Sequence, residues 1–213
     1  MKRRPGLGIR RSGACMMCLL LLLLAVDVRV VRGEDARLAQ FREQAMQIQS
    51  LQATFIQKKQ MKILLRPLIS KGRFFFKRSA SIRWEYQSPI NSVLTMHRGE
   101  VKRFFKRDGK VVQDSGTNLQ VMQVVMQNIS RWLGGRFDDN PDFKTTLVKN
   151  RILLTSTTAL SDMIERIELQ LSSRPGVIES ITIFEDGENY TKIEFKGLEI
   201  NQPIADSVFE EIL

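Results

Sequence analysis

The sequence predicts a mainly β protein of the α+β class, with two amphipathic helices packed against one long, curled antiparallel sheet. Short runs rich in aromatic and β-branched residues alternate in polarity with a period of two from about residue 70 onwards. Ser-Pro, Arg-Gly and Asp-Gly turn signals punctuate these runs, as in an antiparallel meander. Two other stretches place apolar residues at spacings of three and four, which is typical of helices.

The first helix is predicted over residues 36–60, although the residues from Thr54 onwards are also compatible with a strand. Its apolar face consists of Leu38, Phe41, Ala45, Ile48, Leu51 and Phe55. The second helix is predicted over 118–133, where Gly134-Gly135 ends it as a flexible C-cap would. Strands are predicted over 70–77, 81–87, 92–98, 100–107, 143–149, 151–157, 163–172, 177–185 and 190–198, and a closing helical turn over 205–212.

The N-terminal residues 1–33 have the pattern of a secretory signal peptide. Two basic clusters, Lys2–Arg4 and Arg10–Arg11, precede an apolar run over residues 14–26. This run of about a dozen residues is shorter than the roughly 18 to 20 that a membrane-spanning helix needs. We therefore expect cleavage near Glu34 and release of a soluble protein into the periplasm.

Removing residues 1–33 changes what the composition implies. It takes away seven of the 33 lysines and arginines and one of the 23 acids, which leaves 26 against 22 and little support for a nucleic-acid binder. It also takes away Cys15 and Cys18, so the rest can form neither a disulfide nor a thiolate metal site. The remaining residues show no internal repeat or linker, which predicts a single domain over 34–213.

The predicted sheet raises a packing question, because a long sheet curls and two helices fill its concave side incompletely, which leaves a cavity. The inward-facing residues of the meander are Phe74, Phe76, Ile82, Trp84, Tyr86, Leu94 and Met96. The second helix adds Met122, Val125, Met126, Ile129 and Trp132. This aromatic and thioether lining is deformable and suits acyl chains. The pattern alone leaves open whether these residues line a cavity or form a filled core.

Residues typical of catalysis or metal binding are scarce. His97, the single histidine, lies on a predicted strand beside a turn, where we expect a solvated or lightly packed imidazole rather than a general base. The sequence contains no His-Glu-x-x-His motif, no Gly-x-Ser-x-Gly elbow and no phosphate-binding glycine loop. The acidic residues of 138–142 lack the ligand spacing of a calcium loop. We therefore expect no enzyme, no metal and no cofactor.

Basic and aromatic residues are interleaved over residues 71–76 and 101–107, superficially as in RNA-binding strands. The first run lacks the usual small residue between its aromatic side chains, and an exported protein meets little RNA. We therefore expect no nucleic-acid partner.

Arg78 ends one predicted strand and precedes the strand that carries Ile82 and Trp84. This position predicts a guanidinium at the edge of the cavity, where it can donate a hydrogen bond to a backbone carbonyl and latch the helices over the mouth. A charged hydrogen bond of this kind contributes about 1 to 3 kcal/mol. The alternative is a solvated arginine in a turn, and the local sequence does not decide between the two.

An ordered set of short motifs resembles the LolA family of periplasmic lipoprotein carriers. The motifs are Phe55-Ile56-Gln57-Lys58, Pro67-Leu68-Ile69-Ser70-Lys71-Gly72-Arg73-Phe74, Phe76-Lys77-Arg78, Arg83-Trp84-Glu85-Tyr86 and Ser88-Pro89. The similarity is strongest over about residues 38–108. It implies an incomplete, strongly curved antiparallel β-barrel with helices as a lid, with Arg78 holding the lid closed and with Ile82 and Trp84 in a hydrophobic cavity.

The resemblance also implies the partners of a monomeric carrier. These are acylated lipoproteins, an inner-membrane ABC-type transporter that releases them and an outer-membrane receptor that accepts them. Loading would require the helix with Met122, Met126 and Trp132 to swing away and break whatever bond Arg78 makes. Two alternatives stay open: a carrier of a glycolipid or another biosynthetic lipid, and an envelope scaffold with a filled core that binds nothing.

Overall fold

The computed structural model describes residues 36–78, 80–114, 118–137, 139–157, 164–185 and 188–212. The side chains of residues 118–122 and 124 are also outside this description. The predicted signal peptide with its two cysteines, Asp138 of the acidic turn, Met163 and the side chain of Met122 therefore lie outside the described residues. Leu38–Leu213 form one compact unit.

Three helices and eleven strands form the described part of the chain. The helices are α1, described over 36–46, α2 (Asn118–Leu133) and α3 (Ser207–Glu210). The strands are β1 (Ser50–Gln60), β2 (Leu68–Lys77), β3 (Ser81–Ser88), β4 (Ser92–His97), β5 (Glu100–Arg107), β6 (Lys110–Gln113), β7 (Phe143–Val148), β8 (Arg151–Ser156), β9 (Arg166–Leu171), β10 (Ile178–Phe184) and β11 (Tyr190–Ile200).

All described strands belong to one open, curled antiparallel sheet in the order β6-β5-β4-β3-β2-β1-β11-β10-β9-β8-β7. The sheet therefore has two arms, which meet where β1 pairs with β11. Strands β6 and β7 are its edges. Helix α2 lies between them in sequence and contacts β3 and β5. The predicted mainly antiparallel fold is confirmed.

The predicted first helix extends too far, because α1 ends at residue 46 and β1 begins at Ser50, whereas the strand allowed from Thr54 onwards is confirmed. Leu51 and Phe55 are four residues apart, a spacing that places both on one face of a helix and equally on one face of a strand. The strand is formed because β1 pairs with both β2 and β11 at the junction of the two arms. Strand β6 was not predicted, since all four of its residues are exposed and carry no alternation.

The end of α2 follows its sequence closely. Gly135 has a φ of +80°, its amide donates to Trp132, and the amide of Arg136 donates to Arg131. This pair of hydrogen bonds is the Schellman arrangement, in which a left-handed residue ends the helix and satisfies its last carbonyls. The predicted glycine stop is confirmed.

The inner face of the sheet, which packs against α1 and α2, buries one continuous apolar core. Its most deeply buried large side chains come from both arms of the sheet, from α2 and from the segment after it. They are Leu51, Phe55, Phe74, Phe76, Ile82, Met126, Ile129, Phe137, Ile152, Leu154, Ile167 and Leu169. Each contributes about 1.5 to 3 kcal/mol relative to an exposed position.

The C-terminal segment covers part of the outer face. Phe75 of β2 packs with Ile204 and Phe209 in a separate small cluster. Arg83 of β3 is buried there and donates from Nη1 to the carbonyl oxygens of Val208 at 3.2 Å and Glu211 at 2.6 Å. The sequence pattern alone places Phe75 and Arg83 toward solvent, so only the return of the chain explains their burial.

His97 belongs to the same outer face. Its Nδ1 lies 2.8 Å from the Ser81 hydroxyl, and its ring stacks on Phe209 with the ring centroids 5.7 Å apart. The imidazole is therefore packed beneath the C-terminal segment, on the opposite side of the sheet from the α1–α2 core.

Candidate binding cavity

A cavity of 610 Å³ lies between α2 and the inner faces of both arms of the sheet. This volume is within the range of about 300 to 1,000 Å³ that is typical of sites for small molecules. The lining is mainly aliphatic and aromatic, with a few polar groups. It consists of Gln57, Leu68, Ile69, Ser70, Trp84, Tyr86, Pro89, Ile90, Ser92, Leu94, Arg103, Val125, Met126, Ile129, Ile183, Thr191 and Ile193.

The sequence-predicted residues divide between this cavity and the core beside it. Those that line the cavity are Trp84, Tyr86, Leu94, Val125, Met126 and Ile129. The core away from the cavity holds Phe74, Phe76, Ile82, Met96 and Trp132, whereas Trp84, Met126 and Ile129 belong both to the core and to the cavity wall. The inner face therefore supplies both a filled core and a cavity, and the binding role of these residues stays a prediction.

Position along the strands decides which of the two environments a residue meets. In β3, Ile82 is in the core and Tyr86 is at the cavity. In the antiparallel strand β2, Phe76 is likewise in the core and Leu68 is at the cavity. Because Phe76 pairs with Ile82 and Gly72 pairs with Tyr86, the core ends of the two strands are adjacent and so are their cavity ends. The cavity therefore occupies the end of the sheet at which the β1–β2 and β3–β4 connections lie.

Several cavity residues were not predicted from the sequence. Ile183 and Ile193 lie on the second arm, and they approach α2 only because β11 pairs with β1. Ile90 lies in a turn, where no alternation marks it. Polar Gln57, Arg103 and Thr191 also line the cavity, and none of them was among the predicted lining residues.

The polar groups cluster around Tyr86. Its hydroxyl donates to Oε1 of Gln57 at 2.8 Å. Burial raises the pKa of Tyr86 to about 12, against the smaller opposing effects of the Arg103 charge and the Gln57 hydrogen bond. Arg103 itself lies 3.4 Å from the carboxylate of Asp114. Tyr86 therefore stays a neutral hydrogen-bonding group over the physiological pH range.

Trp84 lines the cavity and is held by neighbouring aromatic rings. Its ring makes edge contacts with Phe55 and Phe74 at centroid distances of 5.4 and 5.0 Å, which fix its position. Its Nε1 is buried and has no hydrogen-bond acceptor among the described residues. This nitrogen has almost no accessible surface, so the cavity does not expose it, and leaving a buried donor unsatisfied costs about 1 to 3 kcal/mol.

Arg78 joins the end of β2 to α1. Its Nε donates to the carbonyl of Ile48 at 2.9 Å, and its Nη2 donates to the carbonyl of Ala45 at 3.0 Å. Carbonyls at a helix C-terminus carry partial negative charge, so a guanidinium is favourable there. The arginine is therefore bound to backbone carbonyls and is not a solvated turn residue.

The latch hypothesis has α2 swing away and break the bond that Arg78 makes. Both acceptors of Arg78 instead belong to α1 and the turn after it, so the helix that Arg78 holds is α1. Helix α2 is nonetheless close, because a Cβ added at Gly134 would lie 3.9 Å from Nη1 of Arg78. Two turns pack closely against the same end of α1. A Cβ added at Gly135 would lie 2.7 Å from the carbonyl oxygen of Arg42, and a Cβ added at Gly176 would lie 2.5 Å from the amide nitrogen of Ala45. Arg78 thus occupies the point where the C-terminal ends of α1 and α2 meet.

Over the described ranges, no cluster of three or more His, Cys, Asp and Glu side chains is placed to hold a metal ion. Within the same ranges, no helix has both the length and the apolarity needed to cross a membrane.

Comparison with known proteins gives one extended match. The family model for the outer membrane lipoprotein carrier protein LolA matches residues 46–211, which include the cavity and Arg78. Among curated proteins, no sequence matches the chain.

Solved structures with a similar fold come from distant proteins. A DUF1329 family protein from Desulfovibrio piger is 11% identical, with 81% of this chain and 94% of that chain covered and a TM-score of 0.47. A LolA superfamily protein from Nitrosomonas europaea is 9% identical, with coverages of 83% and 96% and a TM-score of 0.40. A chain of the Pseudomonas aeruginosa MucA/MucB complex is 14% identical, with coverages of 81% and 58% and a TM-score of 0.41.

Proposed function

The chain belongs to the LolA family of outer membrane lipoprotein carrier proteins, and from that premise we propose that it carries acylated lipoproteins through the periplasm. In this proposal, residues 1–33 direct export and are removed. A monomer formed by residues 34–213 then accepts cargo from an inner-membrane ABC-type transporter and delivers it to an outer-membrane receptor. The observation that supports the proposal best is the 610 Å³ apolar cavity under α2.

The cavity suits the acyl chains of such cargo. Each methylene that moves from water into an apolar environment contributes about 0.8 kcal/mol, so even partial insertion of a chain gives useful affinity. Gln57, Tyr86 and Arg103 are polar groups at the cavity that can hydrogen-bond the linkage between acyl chain and protein. The aliphatic part of the cargo would thus contact Leu94, Met126 and Ile129, and its polar linkage would contact these polar groups.

Release and loading require the roof of the cavity to move. Val125, Met126 and Ile129 place α2 over the cavity, and Arg78 holds the end of α1 beside the end of α2. We propose that a partner breaks the Arg78 hydrogen bonds, which frees the end of α1 that lies beside the end of α2. Because a ligand shifts an equilibrium only by its differential affinity, net transfer requires an acceptor that binds the acyl chains more tightly.

A carrier of a glycolipid or another biosynthetic lipid is the second candidate. It is favoured by the polar side chains at the cavity, since Gln57, Arg103 and Thr191 offer hydrogen bonds that an acyl chain does not need. A scaffold with a filled core is less well supported, because the inner face leaves this cavity open.

Depletion of the protein in its native cell tests the proposal, with lipoproteins located afterwards by membrane fractionation. Retention of lipoproteins at the inner membrane is the expected result, and unchanged sorting would overturn the proposal. Native mass spectrometry of the periplasmic protein separates the candidates, because a bound glycolipid instead of a lipoprotein supports the second one.

A cavity-filling variant links the effect to the site. Ile193→Trp places a bulky side chain at the inner wall, whereas Val148→Trp makes the same change at an exposed position of β7. We expect only Val148→Trp to restore lipoprotein sorting in depleted cells. Circular dichroism of both variants establishes that each is folded.

A further inference from the structure

Two connections at the mouth of the cavity expose large apolar side chains. We call them the mouth loops; they are residues 61–67 between β1 and β2 and residues 89–91 between β3 and β4. Leu65 is fully exposed, Ile63 is 82% exposed and Ile90 is 65% exposed, which makes them the three most exposed large apolar side chains of the described chain. Clustered exposure of this kind marks an interaction surface.

Strand pairing places both mouth loops at the same end of the sheet. The last pair between β1 and β2 is Lys59 with Leu68, and the β2–β3 pairing ends with Lys71 and Ser88. The chain on either side of these pairs also reaches the cavity, since Leu68, Ile69, Pro89 and Ile90 line it. The exposed side chains therefore surround the cavity entrance and are continuous with its lining.

Hydrogen bonds fix the longer mouth loop in this exposed position. The amide of Leu64 donates to Met61 O at 2.8 Å, and Nε2 of Gln60 donates to the carbonyls of Met61 and Leu64 at 3.1 and 3.2 Å. The amide of Lys62 donates to Oδ1 of Asn189 in the β10–β11 turn at 2.8 Å. Ile63 and Leu65 are thus presented to solvent by a held turn.

The charge around the longer mouth loop is positive. Residues 58–71 contain five cations and no acid. Lys58 and Lys59 lie 3.9 and 3.3 Å from Glu194 and Glu185. Lys62, Arg66 and Lys71 are exposed, and within the described part of the chain no ion pair joins them to a carboxylate. Glu188, exposed in the neighbouring β10–β11 turn, opposes only part of this charge.

From this arrangement we propose that the mouth loops dock the protein on an anionic lipid bilayer, with the cavity entrance facing the membrane. Ile63, Leu65 and Ile90 enter the boundary between headgroups and acyl chains, and Lys62 and Arg66 meet lipid phosphates. Each cation near an anionic membrane surface contributes about 1 kcal/mol. Apolar side chains that project from loops can enter a fluid bilayer, because a bilayer requires no matching surface shape.

The purpose of this docking rests on the proposed function, since acyl chains could then pass between bilayer and cavity without crossing water. Docking itself does not depend on the cargo. Bilayer binding and cargo binding are therefore measured separately, and either can fail without the other.

The test is flotation of the protein, in the form recovered from the periplasmic fraction, with vesicles of phosphatidylcholine with or without phosphatidylglycerol. We expect binding to the anionic vesicles that falls with added salt. The double variant Ile63→Asp/Leu65→Asp should bind at least about tenfold more weakly, and Lys62→Gln/Arg66→Gln should lose the preference for phosphatidylglycerol. Val148→Asp/Ile212→Asp, which changes two exposed apolar side chains away from the mouth loops, is the matched control and should bind like the wild type.

Three outcomes would overturn the proposal: no flotation of the wild type, flotation of Ile63→Asp/Leu65→Asp at the wild-type level, or an equal loss in Val148→Asp/Ile212→Asp. Lipoprotein transfer that depends on Ile63 and Leu65 without any vesicle binding would also overturn it, because the loops would then contact a protein partner. Native mass spectrometry of the same variants reports on cargo independently.

Discussion

The guanidinium of Arg78 donates a 3.0 Å hydrogen bond to the carbonyl oxygen of Ala45, which ties the end of a central strand to the end of α1. Ala45 is fully buried, and its carbonyl also accepts the amide of Ile48 at 3.1 Å. A second bond from Nε of Arg78 to Ile48 makes the arginine a two-point clamp on this helix end.

Arg78→Leu removes both donors and should loosen the end of α1. Hydrogen bonds from a charged donor contribute about 1.5 to 3 kcal/mol, so we expect amide exchange over residues 41–48 to accelerate by about ten- to a hundredfold. Hydrogen–deuterium exchange measures this directly. Arg174→Leu is the matched control, because Arg174 also donates to a backbone carbonyl, that of Leu198, at a different place. Equal protection of 41–48 in wild type and Arg78→Leu would contradict the clamp.

Tyr86 should make stability depend on alkaline pH. Burial raises its pKa from 10.0 to about 12, so the folded protein holds the phenolic proton more tightly than the unfolded chain does. This contribution is fully present below about pH 10 and is lost as the pH rises through 12, with a size on the order of 2 kcal/mol. Urea unfolding of wild type and Tyr86→Phe across this range should therefore show a stability difference that shifts by that amount. A difference that stays constant with pH argues against a buried phenol.

Gly72→Ala should destabilise the sheet severely. A Cβ at this position would lie 1.8 Å from the carbonyl oxygen of Glu85 and 2.9 Å from the ring of Phe55, at a register shift between β2 and β3. We expect a loss of more than about 3 kcal/mol in the free energy of unfolding. Gly109→Ala provides the comparison, since it meets no atom within 4 Å and its φ of +75° costs only about 1 kcal/mol. Because Gly72 itself has no positive φ, a loss no larger than that of Gly109→Ala would contradict the clash with the Glu85 carbonyl.

Phe209→Ala should release the C-terminal segment from the outer face. Phe209 is buried against Phe75, whereas Ile212, three residues further on, is exposed. We expect a loss of about 2 to 4 kcal/mol for Phe209→Ala and a negligible loss for Ile212→Ala. Thermal unfolding measures both, and binding of a hydrophobic dye reports the exposure of Phe75. If the two variants lose equal stability, the segment is not anchored by Phe209.

The limits of α2 and the meander of β2 to β5 could be predicted because local rules decide them. Gly135 accepts the positive φ that ends a helix, and alternation in residues such as Ile82, Trp84 and Tyr86 shows which side chains share a face. The identity of β1 could not be predicted in full, since the spacing of Leu51 and Phe55 suits a helix and a strand equally.

By itself, the sequence determined which residues alternate, where the turns fall and which family the chain resembles, because these depend on neighbours along the chain. Only the tertiary structure decided which inward residues form core and which line the cavity, since depth along the sheet depends on where α2 lies. Only it brought Ile183 and Ile193 of the second arm to the cavity, through the pairing of β11 with β1. Burial of Phe75 and Arg83 likewise required the C-terminal segment to return over the sheet, a contact between residues more than a hundred positions apart that no local pattern encodes.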